Sequence, residues 1–117
     1  MTYLNSNQLK QYSDEGFVSP VNIFSKEKAK EIRDEIELIE KKLPNELEKT
    51  GRYNAHLISP MLDEVTHNEN ILNAVESLIG GNILVCGTTL FIKNPGEGGF
   101  VSYHQDAKYI GLEPHNW

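Results

Sequence analysis

Cysteine occurs once in the 117 residues, as Cys86 within the apolar run Ile83-Leu84-Val85-Cys86. One thiol forms neither an internal disulfide nor a thiolate metal cluster, and its place in that run predicts a small buried hydrophobe. Long hydrophobic runs are also missing: none approaches the roughly 20 residues that span a bilayer. Met1 to Lys10 has no basic region followed by an apolar core, so no secretory leader is expected. Basic residues are scarce, with 11 Lys and Arg against 17 Asp and Glu, a formal charge of -6 and a pI near 5.1. That balance makes no field to collect phosphate backbones, which argues against a nucleic-acid partner. Together these absences predict a cytoplasmic protein with no membrane partner.

What is present describes a folded chain. Hydrophobic residues make up 38% and charged residues 24% of the sequence, the balance of an ordinary globular protein, and the length allows one core and no second. No internal repeat or low-complexity tract divides it. Its character nevertheless changes near residue 80, which separates a helical part, 1–80, from an extended part, 81–117, of one domain.

The helical part is written in caps and stripes. Asn5-Ser6-Asn7 offers N-cap oxygens, Leu9 and Tyr12 share a face, and Gly16 stands where a left-handed residue stops a helix, so a first helix is predicted at 7–15. Phe17-Val18 then reads as extended up to Ser19-Pro20, since proline pushes the residue before it out of the α region. Ser25 caps the longest predicted helix, in which Ala29, Ile32, Ile36, Ile39 and Leu43 form one narrow apolar stripe and Pro44 marks the end. On its charged face Glu37 and Lys41 have the spacing of a favourable pair. A linker from Thr50 to Pro60 leads to further helix from about Met61, broken near His67-Asn68. Ile71, Val75 and Leu78 give its clearest stripe, and Gly80-Gly81 supplies the stop.

From Ile83 to Lys93 the residues are β-branched and aromatic, and Asn94-Pro95-Gly96 begins a turn before a short strand at 100–103. A third strand is expected near Lys108-Tyr109-Ile110. Helices first and strands second predict an α+β chain, with helices packed on a mainly antiparallel sheet.

The chemistry gathers at His104 and Asp106, two apart at the end of a predicted strand, where both side chains leave the same face and converge. A neutral imidazole and a carboxylate in that arrangement are two legs of a two-His, one-carboxylate metal site. The same spacing also suits a simple His–Asp hydrogen bond at a strand end, and the residues alone leave both open. His67 and His115 belong to no such pattern and read as solvent-exposed.

Wider context adds a resemblance. Phe91-Ile92-Lys93, the Pro-Gly turn, Phe100-Val101-Ser102-Tyr103-His104-Gln105-Asp106 and Tyr109-Ile110-Gly111-Leu112-Glu113-Pro114 resemble the phytanoyl-CoA dioxygenase family. Tyr12-Ser13-Asp14-Glu15-Gly16-Phe17-Val18 and Ala55-His56-Leu57 are similar to its earlier segments, and Ile110, where a second aromatic is common, departs from it. The resemblance implies an Fe(II)- and 2-oxoglutarate-dependent oxygenase acting on a small-molecule substrate, with helices packed on the first strands of an incomplete double-stranded β-helix (jelly-roll-like) barrel. It implies that His104 and Asp106 are iron ligands. It associates Gln105, His56 and Lys93 with the 2-oxoglutarate site, although a linker histidine and a strand-end lysine also have plain surface or packing readings. The family's second iron-binding histidine and co-substrate arginine lie beyond the His-x-Asp motif, with no counterpart after Asp106 here. The expectation is therefore a truncated domain, inactive alone, or a non-catalytic fragment that forms homo-oligomers through exposed strand edges.

Overall fold

The computed structural model describes residues 3–44, 53–93, 95–96, 98–104, 106 and 111. Helix α1, Ser6–Glu15, begins at Asn5, whose side chain accepts from the backbone N–H of Asn7 and of Gln8, while Gln8 Oε1 accepts from the Asn5 N–H at 3.0 Å. This reciprocal pairing satisfies donors that a helix start leaves open. Gly16 closes the helix at φ 77°, a conformation that an L side chain resists.

Helix α2, Lys26–Lys42, is capped by the Ser25 hydroxyl, which accepts from Lys28 N–H at 3.1 Å, and it stops at Leu43 before Pro44. Its apolar stripe is only half-buried at Ile32, Ile36 and Ile39, and Ala29 is exposed. On the charged face Arg33 Nε reaches Glu37 Oε1 at 2.7 Å. Glu37 is thus held from the N-terminal side by Arg33, and no ion pair to Lys41 is present among the described residues.

A 3₁₀ turn, Ala55–Leu57, precedes helix α3, Pro60–Thr66, and helix α4, Glu69–Ile79. Ser59 caps α3, Asn68 caps α4 and Gly80 ends α4, so the expected break at His67-Asn68 separates two helices. The 3₁₀ turn packs on α3, and α3 touches α2. Helix α4 is tied to the N-terminal segment: Leu4 N–H donates to Ser77 Oγ at 3.4 Å and Asn70 Nδ2 donates to Ile23 O at 3.0 Å. Among the described residues Leu4, Ala55 and Leu62 are the buried apolar side chains, joined by Ser59, whose Oγ accepts from Leu62 N–H. So thin a core leaves the chain open, with a radius of gyration of 16.3 Å against about 13 Å for a compact chain of this length.

No strand forms among the described residues. This corrects the expected α+β architecture and the barrel strands at 83–93 and 100–103; the third predicted strand lies outside the described residues. The β contact recorded is an isolated antiparallel bridge between Tyr53 and Thr89. A strand depends on its neighbours, and β-branched composition rewards a pleated, half-buried surface that something else must supply. Here Leu84 is 90%, Phe91 79% and Phe100 85% exposed, while Thr88, Leu90 and Ile92 alternate with exposed neighbours at half-buried positions, so the first segment is covered on one side only in part and pairs through a single bridge. Cys86 is exposed as well, which corrects its prediction as a buried residue: with no sheet around it, the apolar run encloses nothing.

Candidate functional site

His104 and Asp106 come together without a strand to align them. His104 Nε2 lies 3.2 Å from Asp106 Oδ1, and on its other side the ring places Nδ1 2.7 Å from Ser102 O. A carbonyl oxygen only accepts, so Nδ1 carries the hydrogen in that bond. The remaining nitrogen, Nε2, therefore faces a carboxylate either as a lone pair or as a second N–H. Lone pair against carboxylate oxygen at that distance is repulsive unless a positive charge sits between them, a proton or a metal cation. Two donors about 2.1 Å from a divalent ion stand about 3.0–3.4 Å apart in octahedral or tetrahedral geometry, so the observed gap matches the bite of such an ion. A main-chain carbonyl holding the far nitrogen is also the usual second partner of a metal-bound imidazole. The donor set fits a divalent cation. The site is open to water, with His104 37% and Asp106 76% exposed at the side chain. Among the described residues no three His, Cys, Asp or Glu side chains group to hold a metal.

The other predicted residues lie elsewhere. His56 sits half-buried on the 3₁₀ turn with Nδ1 2.8 Å from Thr88 Oγ1. Around that contact Asn54 N–H donates to Thr88 O at 2.6 Å and Thr88 N–H donates to Asn54 Oδ1 at 3.3 Å. Asn54 adopts a left-handed backbone, φ 54° and ψ 40°, which an asparagine tolerates better than most side chains. His56 also lines an open depression of about 450 Å³ with Leu57, Ile58, Ser59, Pro60 and Asp63, which neither His104 nor Asp106 borders. Lys93 is exposed, and among the described residues its ammonium meets no carboxylate. Gln105 and His115 lie outside the described residues. His67 is exposed at the end of α3, its Nδ1 3.0 Å from Asp63 O.

Three participants escaped the sequence. Ser102 acts through its carbonyl, which every residue type has, so nothing in its identity marks it. Asn54 and Thr88 left a faint sign, an Asx residue before a short turn and a threonine beside a glycine, and no local rule joins them across that interval.

Among the described residues no helix is long and apolar enough to cross a membrane. No solved structure matches the chain. A zebrafish (Danio rerio) protein, phytanoyl-CoA dioxygenase domain-containing protein 1, is 32% identical over 59 residues, which cover 50% of this chain and 20% of that protein. The match thus spans a fifth of the relative's length. The sequence profile of the phytanoyl-CoA dioxygenase family matches residues 12–116, a range that includes His56, Lys93 and the His104-Gln105-Asp106 motif. On that coverage the chain belongs to the phytanoyl-CoA dioxygenase (PhyH) family.

Proposed function

We propose that this chain carries two of the protein donors of an Fe(II) centre in a 2-oxoglutarate-dependent dioxygenase acting on a small molecule. The observation that carries this is the convergence of His104 Nε2 and Asp106 Oδ1 at 3.2 Å, with the far ring nitrogen bound to a backbone carbonyl. When bound, Fe(II) supplies O₂ activation coupled to decarboxylation of 2-oxoglutarate to succinate. The residues of this chain do the holding: His104 presents a neutral nitrogen, Asp106 an anionic oxygen, and the two keep one side of the ion. Lys93, an exposed point charge, is assigned to a carboxylate of the co-substrate, with Gln105 and His56 as further polar contacts. A single exposed thiol suits a reducing compartment, which supports a cytoplasmic reading.

Two protein donors hold a divalent ion weakly, so the 117-residue chain by itself is expected to bind Fe(II) with low affinity and to turn over no 2-oxoglutarate. Anaerobic titration with Fe(II) or Mn(II) tests the first point: His104→Ala and Asp106→Ala should each remove saturable binding, and unchanged binding in the double variant overturns the proposal. Succinate formation tests the second, and sustained turnover by the chain alone overturns the two-donor assignment.

A second, non-catalytic reading is favoured by one observation, the exposure of Leu84, Phe91, Phe100 and Tyr103 on segments that form no strand among the described residues. We propose that these segments pair with their counterparts in another copy of the chain, which covers apolar surface and satisfies main-chain donors and acceptors together.

A further inference from the structure

The depression beside the 3₁₀ turn has a chemistry of its own. It encloses about 450 Å³ and is lined by His56, Leu57, Ile58, Ser59, Pro60 and Asp63, of which Ser59 is the one buried residue, at 2% exposure. We propose that this depression binds an α-amino amide with an apolar side chain, the chemistry of a small aminoacyl amide or of a peptide N-terminus. Ser59 Oγ donates to the ligand's carbonyl oxygen, the Asp63 carboxylate pairs with its ammonium, and Leu57, Ile58 and Pro60 cover its side chain. The inference stands apart from the proposed metal site, since neither His104 nor Asp106 borders the depression.

Ser59 calls for an acceptor. Its Oγ accepts from Leu62 N–H at a long 3.4 Å, and a hydroxyl also has a hydrogen to give. Among the described residues that hydrogen meets no acceptor. A buried donor left unmade costs more than a typical hydrogen bond returns, so native structures supply such a group with a partner, and the depression is where one can enter.

Asp63 sets the charge of that partner. Its N–H donates to Ser59 O at 3.0 Å, closing the turn that brings the two residues to neighbouring positions on one side of α3, about 5–6 Å apart at Cβ. An ammonium and the adjacent carbonyl of one residue, with a hydrogen bond at each end, span such an interval. Asp63 Oδ1 has His67 Nδ1 at 3.6 Å, and Oδ2 meets no partner among the described residues. A ligand carboxylate in this place faces Asp63 directly in a chain of net charge -6, so a cation is favoured and a neutral carbonyl serves Ser59 without repulsion. Leu57 and Ile58, 75% and 54% exposed, give an apolar side chain a surface to cover.

Titration of the 117-residue chain with L-leucinamide, followed by ¹H–¹⁵N correlation, tests the proposal. The expected result is saturable shifts centred on residues 56–63. 4-Methylpentanamide, which lacks the ammonium, and 3-methylbutylamine, which lacks the carbonyl, should each bind about tenfold more weakly. Ser59 also caps α3, so its role is read from these ligands on the wild-type chain. Asp63 is 52% exposed at its side chain, and Asp63→Asn should weaken leucinamide by a similar factor while the amide spectrum outside this region stays in place. No saturable shift, or unchanged binding in Asp63→Asn, overturns the proposal. Equal affinity for 3-methylbutylamine overturns the Ser59 assignment, and L-leucine or 2-oxoglutarate binding more tightly than leucinamide overturns the choice of a cation. L-Leucylglycinamide distinguishes the sources: tighter binding than leucinamide identifies a peptide N-terminus and equal binding a single aminoacyl unit, both in support.

Discussion

His56 Nδ1 meets Thr88 Oγ1 at 2.8 Å across 32 residues of sequence, and this contact docks the extended segment after α4 onto the turn before α3. It is one strand of a clasp. Asn54 exchanges two hydrogen bonds with the Thr88 main chain, and Tyr53 forms its isolated bridge to Thr89 alongside. The clasp also ties the chemistry-bearing end of the chain to its thin core, since Ala55 and Ser59 on the same turn are buried.

Thr88→Val keeps the shape of the side chain and removes the hydroxyl, so His56 Nδ1 loses its partner while both Asn54 bonds to the Thr88 backbone remain. The expected loss is about 1 kcal/mol, the net worth of a half-buried neutral hydrogen bond. Urea unfolding followed by far-ultraviolet circular dichroism checks it, with the midpoint lowered and the slope unchanged.

Gly87 is required by a close approach rather than by its backbone angle. A Cβ there would stand 2.9 Å from Asn54 Oδ1, the oxygen that accepts from Thr88 N–H. Gly87→Ala must therefore displace Asn54 and break that bond, at a cost of about 1–3 kcal/mol. In an Asn54→Gly background the added methyl meets nothing at that point, so the same substitution should cost much less; equal costs in both backgrounds would remove the proposed cause.

The helices were legible because their instructions are local. Asn5, Ser25 and Asn68 cap within three residues of where they stand, and Gly16 and Gly80 stop what precedes them. The extended half was misread because β structure is an agreement between distant segments. The residues from Ile83 to Lys93 have the composition of a strand, but composition does not provide a partner, and Leu84 and Phe91 face water. The site falls between these cases. His104 and Asp106 were paired by a two-residue spacing that survives the loss of the strand, while the Ser102 carbonyl and the Asn54–Thr88 clasp act through backbone and tertiary contacts that no residue type announces.

The start of α2 should respond to acid. Glu27, in its first turn, is held below the ordinary carboxyl value of 4.5, first by a hydrogen bond from its own backbone and then by the Ser25 hydroxyl. A folded value below the unfolded one favours the folded helix once the pH is above 4.5, and that contribution fades as the pH falls from 4.5 through the folded value. Glu27→Gln should flatten this part of the acid titration of helicity by removing the contribution at neutral pH, so that the variant and the wild type converge in acid. Because the carboxylate is fully exposed, added salt should shrink the difference.

The proposed self-association has its own test. Phe100 is 85% and Val101 64% exposed, adjacent to His104 along the chain, so pairing through this stretch would bury the apolar side chains nearest the proposed metal donors. Light scattering over a range of concentrations should show a mass rising toward the dimer, driven by apolar burial and strengthened by salt that screens the repulsion between two chains of charge -6. Phe100→Lys places a charge in the stretch and removes its largest apolar side chain, and it should return the chain to monomer without altering the helical circular-dichroism signal. A monodisperse monomer at every concentration removes the pairing. A dimer that persists in Phe100→Lys but dissociates in Ile32→Glu/Ile36→Glu moves the contact to the half-buried stripe of α2.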